Sequence, residues 1–241
     1  MSRDVLVRVL AVVGGAAVLV IALVVASLVG HHSTKPTANN IQLDSVAEML
    51  RGVPQHGIEL GNPKAKVTLT EVSDPQCPYC GDWARTVFPV VVQNYVKPGK
   101  VRVEYKGVDI LDPPDSSAQD SSRLLRLAQA AGLQNKLWNV VELEFENQGT
   151  EGSGYATDAF LRGIAQSVTG MNADKALSVA NTNAVVPLID SARVLAEANF
   201  GKRFSTPSFL VGRTGSVPTV KIVGDQPFQS FAKAIDAQLK K

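Results

Sequence analysis

The chain has 241 residues, with 24 Lys and Arg against 22 Asp and Glu, which gives a net charge of +2. Because this balance is close to neutral and no long basic stripe is visible, the sequence does not indicate nucleic-acid binding. The hydrophobic fraction is 45%. Part of it belongs to one N-terminal segment, and the remainder is typical of a soluble globular protein.

That N-terminal segment is an apolar run from Val9 to Gly30 without a charged residue. Its 22 residues can cross a bilayer as a helix, and Arg3 and Arg8 before it favour a cytoplasmic N-terminus. We therefore predict a cytoplasmic tail over 1–8, a single-pass transmembrane signal-anchor over 9–30, and an extracytoplasmic remainder in the periplasm or cell-wall space of a bacterium. A cleaved signal peptide is the alternative, although its apolar region is usually shorter.

Residues 31–55 begin with a stretch rich in Ser, Thr, Asn and Pro, which is typical of a flexible tether, and end with a short predicted helix over Ile41–Arg51. The chain beyond them is long enough for one domain with an insertion or for two small domains. Its apolar spacing predicts a βαβ unit with a parallel pair of strands. The predicted elements are strands over Gly57–Gly61 and Val67–Val72, a helical stretch over Trp83–Val96 that Pro89 interrupts, and a strand over Val101–Tyr105.

The second half of the chain predicts a helical block followed by a return to the sheet. Four helices are predicted from their apolar spacing and cap residues, over Ser121–Ala131, Leu137–Asn147, Tyr155–Gln166 and Asn172–Asn199. Two β-rich runs then flank a Gly-containing turn and predict an antiparallel hairpin, followed by an amphipathic helix. These last elements are Pro207–Val211, Val217–Val223 and Phe228–Lys241.

The two cysteines of the chain lie three residues apart in Cys77-Pro78-Tyr79-Cys80. Proline directly after the first cysteine is typical of a helix start, because the first helical residue needs no backbone N–H. A C-x-x-C motif at a helix N-terminus lowers the thiol pKa of its first cysteine and makes it a nucleophile. The motif therefore predicts an enzyme of thiol–disulfide exchange.

Two other interpretations of the cysteine pair are weaker. A structural zinc site needs four ligands, and the only histidines are His31, His32 and His56. A purely structural disulfide would close so small a ring that it would stabilise the fold little. We therefore expect no metal and no cofactor other than a redox-active disulfide between Cys77 and Cys80.

The motif and its surroundings together resemble a known family. The βαβ–helices–ββα order, the stretch Gly61–Leu69, and Glu71–Gln76 leading into the cysteine pair are similar to the DsbA-like thiol oxidoreductases. The resemblance covers residues 56–241. It implies an α/β thioredoxin-like fold that carries a helical insertion at about 113–200, with Cys77 as the exposed nucleophile and Cys80 as the buried resolving thiol.

A second mark of the same family is the stretch Ser205–Gly212. In thioredoxin-like folds a cis-proline opens the hairpin strand and faces the active-site disulfide. The resemblance assigns this position to Pro207 and places Thr206 before it. The backbone of Thr206 would then be unpaired and aimed at an extended substrate peptide.

Other residues near the motif have predicted roles that differ in kind. The resemblance makes Glu71 a buried acid that accepts a proton from Cys80 through water, and a solvated glutamate at a strand edge is the alternative. Pro78-Tyr79 lacks the histidine that strong oxidants of the family often carry, so these two residues are predicted to tune the oxidising power.

Trp83 and Phe88 are predicted to be core residues, since large aromatic side chains dominate core burial. Lys202 and Arg203, just before Pro207, are predicted to be solvated surface charges.

The family resemblance also implies partners. Substrates would be unfolded or reduced exported proteins, and a membrane quinone-linked re-oxidase, DsbB-like or VKOR-like, would recycle the enzyme. The N-terminal helix would contact membrane lipid, and no nucleic acid is expected. A disulfide isomerase or reductase of the same fold is the alternative activity, and a peptide-binding holdase is the alternative from a different class.

Overall fold

The computed structural model describes residues 44–112 and 118–241 of the chain. The predicted cytoplasmic tail, signal-anchor and polar tether lie outside these residues. Within them, no helix combines the length and the apolar composition that a membrane crossing needs.

Six strands form one sheet in the order β1-β2-β4-β3-β5-β6. Strands β3 and β4 are parallel, and every other neighbouring pair is antiparallel. The predicted parallel pair and the predicted C-terminal hairpin are therefore confirmed. The strands are β1 (Gln55–His56), β2 (Glu59–Leu60), β3 (Val67–Ser73), β4 (Val101–Gly107), β5 (Ser208–Arg213) and β6 (Val220–Val223).

Nine α-helices accompany this sheet in the described part of the chain. They are α1 (Asp44–Leu50), α2 (Pro78–Thr86), α3 (Phe88–Val91), α4 (Asp120–Gly132), α5 (Leu137–Glu146), α6 (Asp158–Ser167), α7 (Ala173–Ala180), α8 (Val186–Phe200) and α9 (Phe228–Leu239). A π-helical turn over Val92–Val96 follows α3, and a short 3₁₀ turn over Asn183–Val185 precedes α8. The helices between β4 and β5 form the predicted insertion, so the fold is a thioredoxin-like sheet with a helical insertion.

Strand β3 carries the site because it is the central strand and leads directly into α2. Six of its seven residues are buried, as expected for a strand that is covered on both faces. Cys77 adopts an extended conformation (φ −66°, ψ 119°) immediately before Pro78, which starts α2. The predicted helix start at Pro78 is confirmed, and the missing N–H of proline costs nothing there.

Trp83 fixes α2 against the sheet. Its ring is fully buried, and its centroid lies 5.2 Å from that of Phe88, 4.6 Å from that of Phe209 and 5.6 Å from that of Phe231. These contacts join α2 to β5 and α9. The predicted core role of Trp83 and Phe88 is confirmed.

Three predicted elements differ from the structure. The helix predicted over Asn172–Asn199 is wrong, because the chain breaks at Thr182, whose hydroxyl caps Ala184 N–H, before α8 starts at Val186 with a proline in its first turn. The strand predicted over Gly57–Gly61 is shorter and covers only Glu59–Leu60, because Gly57, whose φ of 57° favours glycine, lies in the turn between β1 and β2. The last strand begins at Val220 rather than Val217, after Pro218.

The helix ends predicted near the site also need correction. The stretch predicted over Trp83–Val96 begins at Pro78, ends at Thr86 and resumes at Phe88. Pro89 lies in the first turn of α3, where its missing donor is tolerated. The predicted interruption by Pro89 is confirmed.

Candidate active site

Both cysteine thiols are free in the structure, which is therefore the dithiol form. Cys80 lies inside α2 and is fully buried, whereas Cys77 retains 5% of its surface. The expectation of an exposed Cys77 is thus too strong. Cys77 is still the more exposed of the two thiols.

The two thiols have opposite electrostatic surroundings. Hydrogen bonding from the Cys80 thiol lowers the pKa of Cys77 to about 6 against the effect of burial, and the Thr206 side chain and the backbone N–H groups of Cys80 and Tyr79 contribute further. Burial, followed by the proximity of Cys77, raises the pKa of Cys80 well above its usual value. At neutral pH the pair therefore consists of a Cys77 thiolate and a protonated Cys80 thiol.

Thr206 lies directly beside Cys77, although the two residues are 129 positions apart in the sequence. The peptide bond between Thr206 and Pro207 is cis, and it precedes β5, which pairs with β3. The distance from Cys77 Sγ to the Thr206 carbonyl oxygen is 3.4 Å. While Cys77 is protonated, its thiol donates a hydrogen bond to this carbonyl, which is then not unpaired, in contrast to the sequence-based expectation.

Pro78 and Tyr79 form the outer surface of the motif. Both side chains are exposed, and Tyr79 is 65% exposed. A large aromatic side chain beside the nucleophile offers apolar contact area to an approaching peptide. Lys202 and Arg203 are exposed, as the sequence predicts.

Glu71 is fully buried in the central strand β3. Burial raises its pKa from 4.5 to about 8, and the Ser73 side chain lowers it by a smaller amount. Neither of its carboxyl oxygens has a hydrogen-bond partner among the described residues. The alternative of a solvated glutamate at a strand edge is therefore wrong.

A protein-family profile described as Thioredoxin matches residues 54–237, which is most of the chain. The chain belongs to this thioredoxin family. The matched range contains the cysteine pair, Glu71 and the Thr206–Pro207 bond. A comparison with curated protein sequences found no match.

Solved structures share the fold of this thioredoxin-family chain at low sequence identity. Oxidised BdbD from Bacillus subtilis has a TM-score of 0.64 and 19% identity, over 78% of this chain and 98% of that chain. The alpha-DsbA1 protein of Wolbachia pipientis has a TM-score of 0.62 and 20% identity, over 85% and 96%. DsbA of Chlamydia trachomatis has a TM-score of 0.60 and 17% identity, over 75% and 90%. These similarities establish the common architecture.

The structure also shows a buried aspartate, three residues before Cys77, that the sequence analysis did not identify as part of the site. Asp74 directly follows the last residue of β3. Its Oδ1 accepts hydrogen bonds from Gln76 N–H (2.9 Å) and from the Ser121 hydroxyl (2.6 Å). Its Oδ2 accepts one from Leu111 N–H (3.0 Å). The Asp-Pro pair after a strand is a turn signal that could have identified it. Asp74 therefore joins the segment between β3 and α2 of this thioredoxin-family protein to the helical insertion.

Burial also raises the pKa of Asp74, to about 7, despite the hydrogen bonds from Ser121, Gln76 and Leu111. The described residues contain no group of three or more His, Cys, Asp or Glu side chains arranged to hold a metal ion.

We predict that the alkylation rate of Cys77 rises with pH around 6 and levels off near neutrality. The thiolate is the reactive form, and the surroundings of Cys77 place its pKa at about 6. An ordinary thiol, with a pKa of about 8.5, would continue to gain reactivity well above neutrality. The check is the rate of iodoacetamide modification against pH, with free glutathione as the control. A Cys77 profile that coincides with that of glutathione would contradict the prediction.

Proposed function

We propose that this protein is an extracytoplasmic thiol:disulfide oxidoreductase that introduces disulfide bonds into exported proteins through Cys77 and Cys80. The observation that carries the proposal is the asymmetric pair, with Cys77 favoured as thiolate and Cys80 as thiol, beside the Thr206 carbonyl. An inert structural pair would need no such asymmetry. Catalytic roles are therefore assigned to Cys77 and Cys80, a substrate-binding role to Thr206 and Pro207, and tuning roles to Pro78, Tyr79 and Glu71.

The proposed oxidation begins with Cys77 and Cys80 joined as a disulfide. A substrate thiolate attacks Cys77 Sγ, the Cys77–Cys80 bond breaks, and Cys80 leaves with the electron pair and gains a proton. A second substrate thiolate then attacks the substrate sulfur of the mixed disulfide and releases Cys77 as a thiolate. The substrate has lost two electrons, and the enzyme holds them as a dithiol.

Glu71 would exchange a proton with Cys80. A carboxyl with a pKa of about 8 is able to give and take a proton near neutral pH. The Cys80 thiol, by contrast, does not ionise unaided there, since its pKa lies well above the usual value. Proton transfer between Glu71 and Cys80 through water is therefore the proposed role of this glutamate.

The direction of net catalysis follows from the stability of the reduced form. Stabilising the Cys77 thiolate stabilises the dithiol, and an enzyme with a stable dithiol is a strong oxidant. The proposed substrates are unfolded or reduced exported proteins. A quinone-linked membrane partner of the DsbB or VKOR type would then remove the two electrons, and the apolar segment over 9–30 would hold the enzyme at the membrane.

The redox equilibrium with glutathione tests this function. We expect a reduction potential far above about −270 mV, the value of thioredoxin, and closer to about −120 mV, the value of a strong oxidant. The measurement titrates the fraction of dithiol against the ratio of reduced to oxidised glutathione. A potential near that of thioredoxin would refute the oxidase and favour the reductase alternative.

A further inference from the structure

Gln148 connects the helical insertion to the backbone of residues 74–77, the segment that joins β3 to α2. It follows the end of α5, and its side-chain Nε2 donates hydrogen bonds to the Pro75 carbonyl (2.8 Å) and the Cys77 carbonyl (3.0 Å). One amide group thus spans the chain from two residues before Cys77 to Cys77 itself. None of the motifs in the sequence contains this residue.

The Cys77 carbonyl that Gln148 binds is also the first acceptor of the active-site helix. It accepts the N–H of Gly81 at 3.1 Å, the bond that closes the first turn of α2. The second lone pair of this oxygen is used by Gln148. The orientation of the Cys77 backbone relative to the N-terminus of α2 is therefore fixed by two donors.

Gly81, directly after the second cysteine, leaves room for this contact. A Cβ at position 81 would lie 2.4 Å from Gln148 Oε1 and 2.8 Å from one terminal guanidinium nitrogen of Arg85. The same Arg85 nitrogen donates to the Phe145 carbonyl at 2.7 Å, and the other one pairs with Asp82 at 2.8 Å. Arg85 and Asp82 are the charged groups at this contact, so α2 and the end of α5 meet closely here.

We propose that Gln148 is a positioning residue that holds the Cys77 backbone at the N-terminus of α2 and thereby sets the stability of the reduced enzyme. The inference rests on the proposed exchange activity. Backbone N–H groups at a helix N-terminus stabilise an anion only within the first turn and when they face it. The N–H groups of Tyr79 and Cys80 stabilise the Cys77 thiolate, and Gln148 keeps them in that orientation.

The test compares Gln148→Ala with Gln134→Ala. Gln134 is a matched control, because its amide also binds backbone within the insertion, with Nε2 donating to the Asn172 carbonyl (3.1 Å) and Oε1 accepting from Asn172 N–H (2.9 Å). We expect Gln148→Ala to raise the Cys77 pKa by about half a unit to one unit, and to shift the glutathione equilibrium about threefold to tenfold toward the disulfide. Gln134→Ala should change neither quantity.

A second pair of variants separates positioning from a general loss of stability. Gly81→Ala should displace the Gln148 amide and raise the Cys77 pKa in the otherwise wild-type protein. In the Gln148→Ala background the same change should raise the Cys77 pKa little further, because the Gln148 amide is gone and the new methyl group then meets only the flexible end of Arg85. Such non-additivity is the mark of two residues that share one contact.

The outcomes distinguish this inference from the oxidase proposal. A wild-type reduction potential near that of thioredoxin would refute the oxidase whatever Gln148→Ala does. An unchanged Cys77 pKa and glutathione equilibrium in Gln148→Ala, or equal changes in Gln134→Ala, would refute the positioning role. Fully additive effects of Gly81→Ala and Gln148→Ala would also refute it, since the two side chains would then act independently.

Discussion

The reduced Cys77→Ser variant should form no mixed disulfide with oxidised glutathione above the uncatalysed background, whereas the reduced Cys80→Ser variant should accumulate one glutathione adduct on Cys77. In the wild-type protein the adduct should be transient, because Cys80 displaces glutathione and closes the Cys77–Cys80 disulfide. The measurement is intact-protein mass after rapid acid quenching. It assigns the nucleophilic and resolving roles to individual sulfur atoms.

The expected contrast follows from exposure and charge together. Cys77 retains 5% of its surface and has a pKa of about 6, so its thiolate is present and reachable at neutral pH. Cys80 has no exposed surface, and burial first and then Cys77 keep its pKa well above the usual value. Since the thiolate is the attacking species, the Cys77→Ser variant lacks a competent nucleophile although one thiol is still present.

Unfolding provides the control for this experiment. In denaturant the Cys80 thiol of Cys77→Ser is solvated, and it should then react with oxidised glutathione at the rate of an unstructured peptide thiol. That result would show that the fold, and not the chemistry of Cys80, protects it. If folded Cys77→Ser formed the adduct as fast as Cys80→Ser, the assignment of roles within the pair would be wrong.

The parts of the site that local sequence patterns could predict are those built from neighbouring residues. Alternating apolar residues predicted β3, and the spacing of the cysteines with Pro78 predicted the start of α2. The core role of Trp83 followed from its size and its helical position. In each case a few consecutive residues carry the physical cause, so the sequence was sufficient.

Contacts between residues that are distant in the sequence were harder to predict. Only a family resemblance, and no local pattern, indicated that Thr206 would lie beside Cys77, because the two residues are 129 positions apart and are brought together by the pairing of β3 with β5. Gln148 carried no signal at all, since a glutamine after a helix is usually solvated. The buried acids Glu142 and Glu144 of α5 alternate with apolar residues, a pattern that does not mark a fully buried helix.

Replacing Glu71 with glutamine should make the protein more stable at alkaline pH and should remove part of the pH dependence of its unfolding. The folded-state pKa of Glu71 is raised to about 8 from 4.5 because the carboxyl is buried. The unfolded chain therefore loses this proton at a lower pH than the folded protein does. The cost to the fold is absent below about pH 4.5, grows as the pH rises, and becomes constant above about pH 8.

One pKa unit corresponds to about 1.4 kcal/mol. Between about pH 5 and pH 8.5, the free energy of unfolding of the wild type should therefore fall by about 4 kcal/mol more than that of Glu71→Gln. The ionised Glu71 carboxylate also raises the pKa of two neighbouring groups. Burial first and then the charge of Glu71 raise the pKa of Glu142 well above its usual value, and the pKa of Tyr105 is raised by burial and then by Glu71. Glu71→Gln removes this charge, so its contribution to the raised pKa of Glu142 and of Tyr105 is lost.

Urea unfolding of both proteins as dithiols, at several pH values, measures this difference. Glu151→Gln is the matched control, because it removes the carboxyl of an exposed glutamate and should leave the pH dependence of the wild type unchanged. If Glu71→Gln and the wild type lost stability in parallel between pH 5 and pH 8.5, Glu71 would already be ionised in the fold at pH 5. A carboxylate already ionised at that pH would hold no proton to give to the departing Cys80 sulfur near neutrality, so the stability curve also tests the proposed route of the proton.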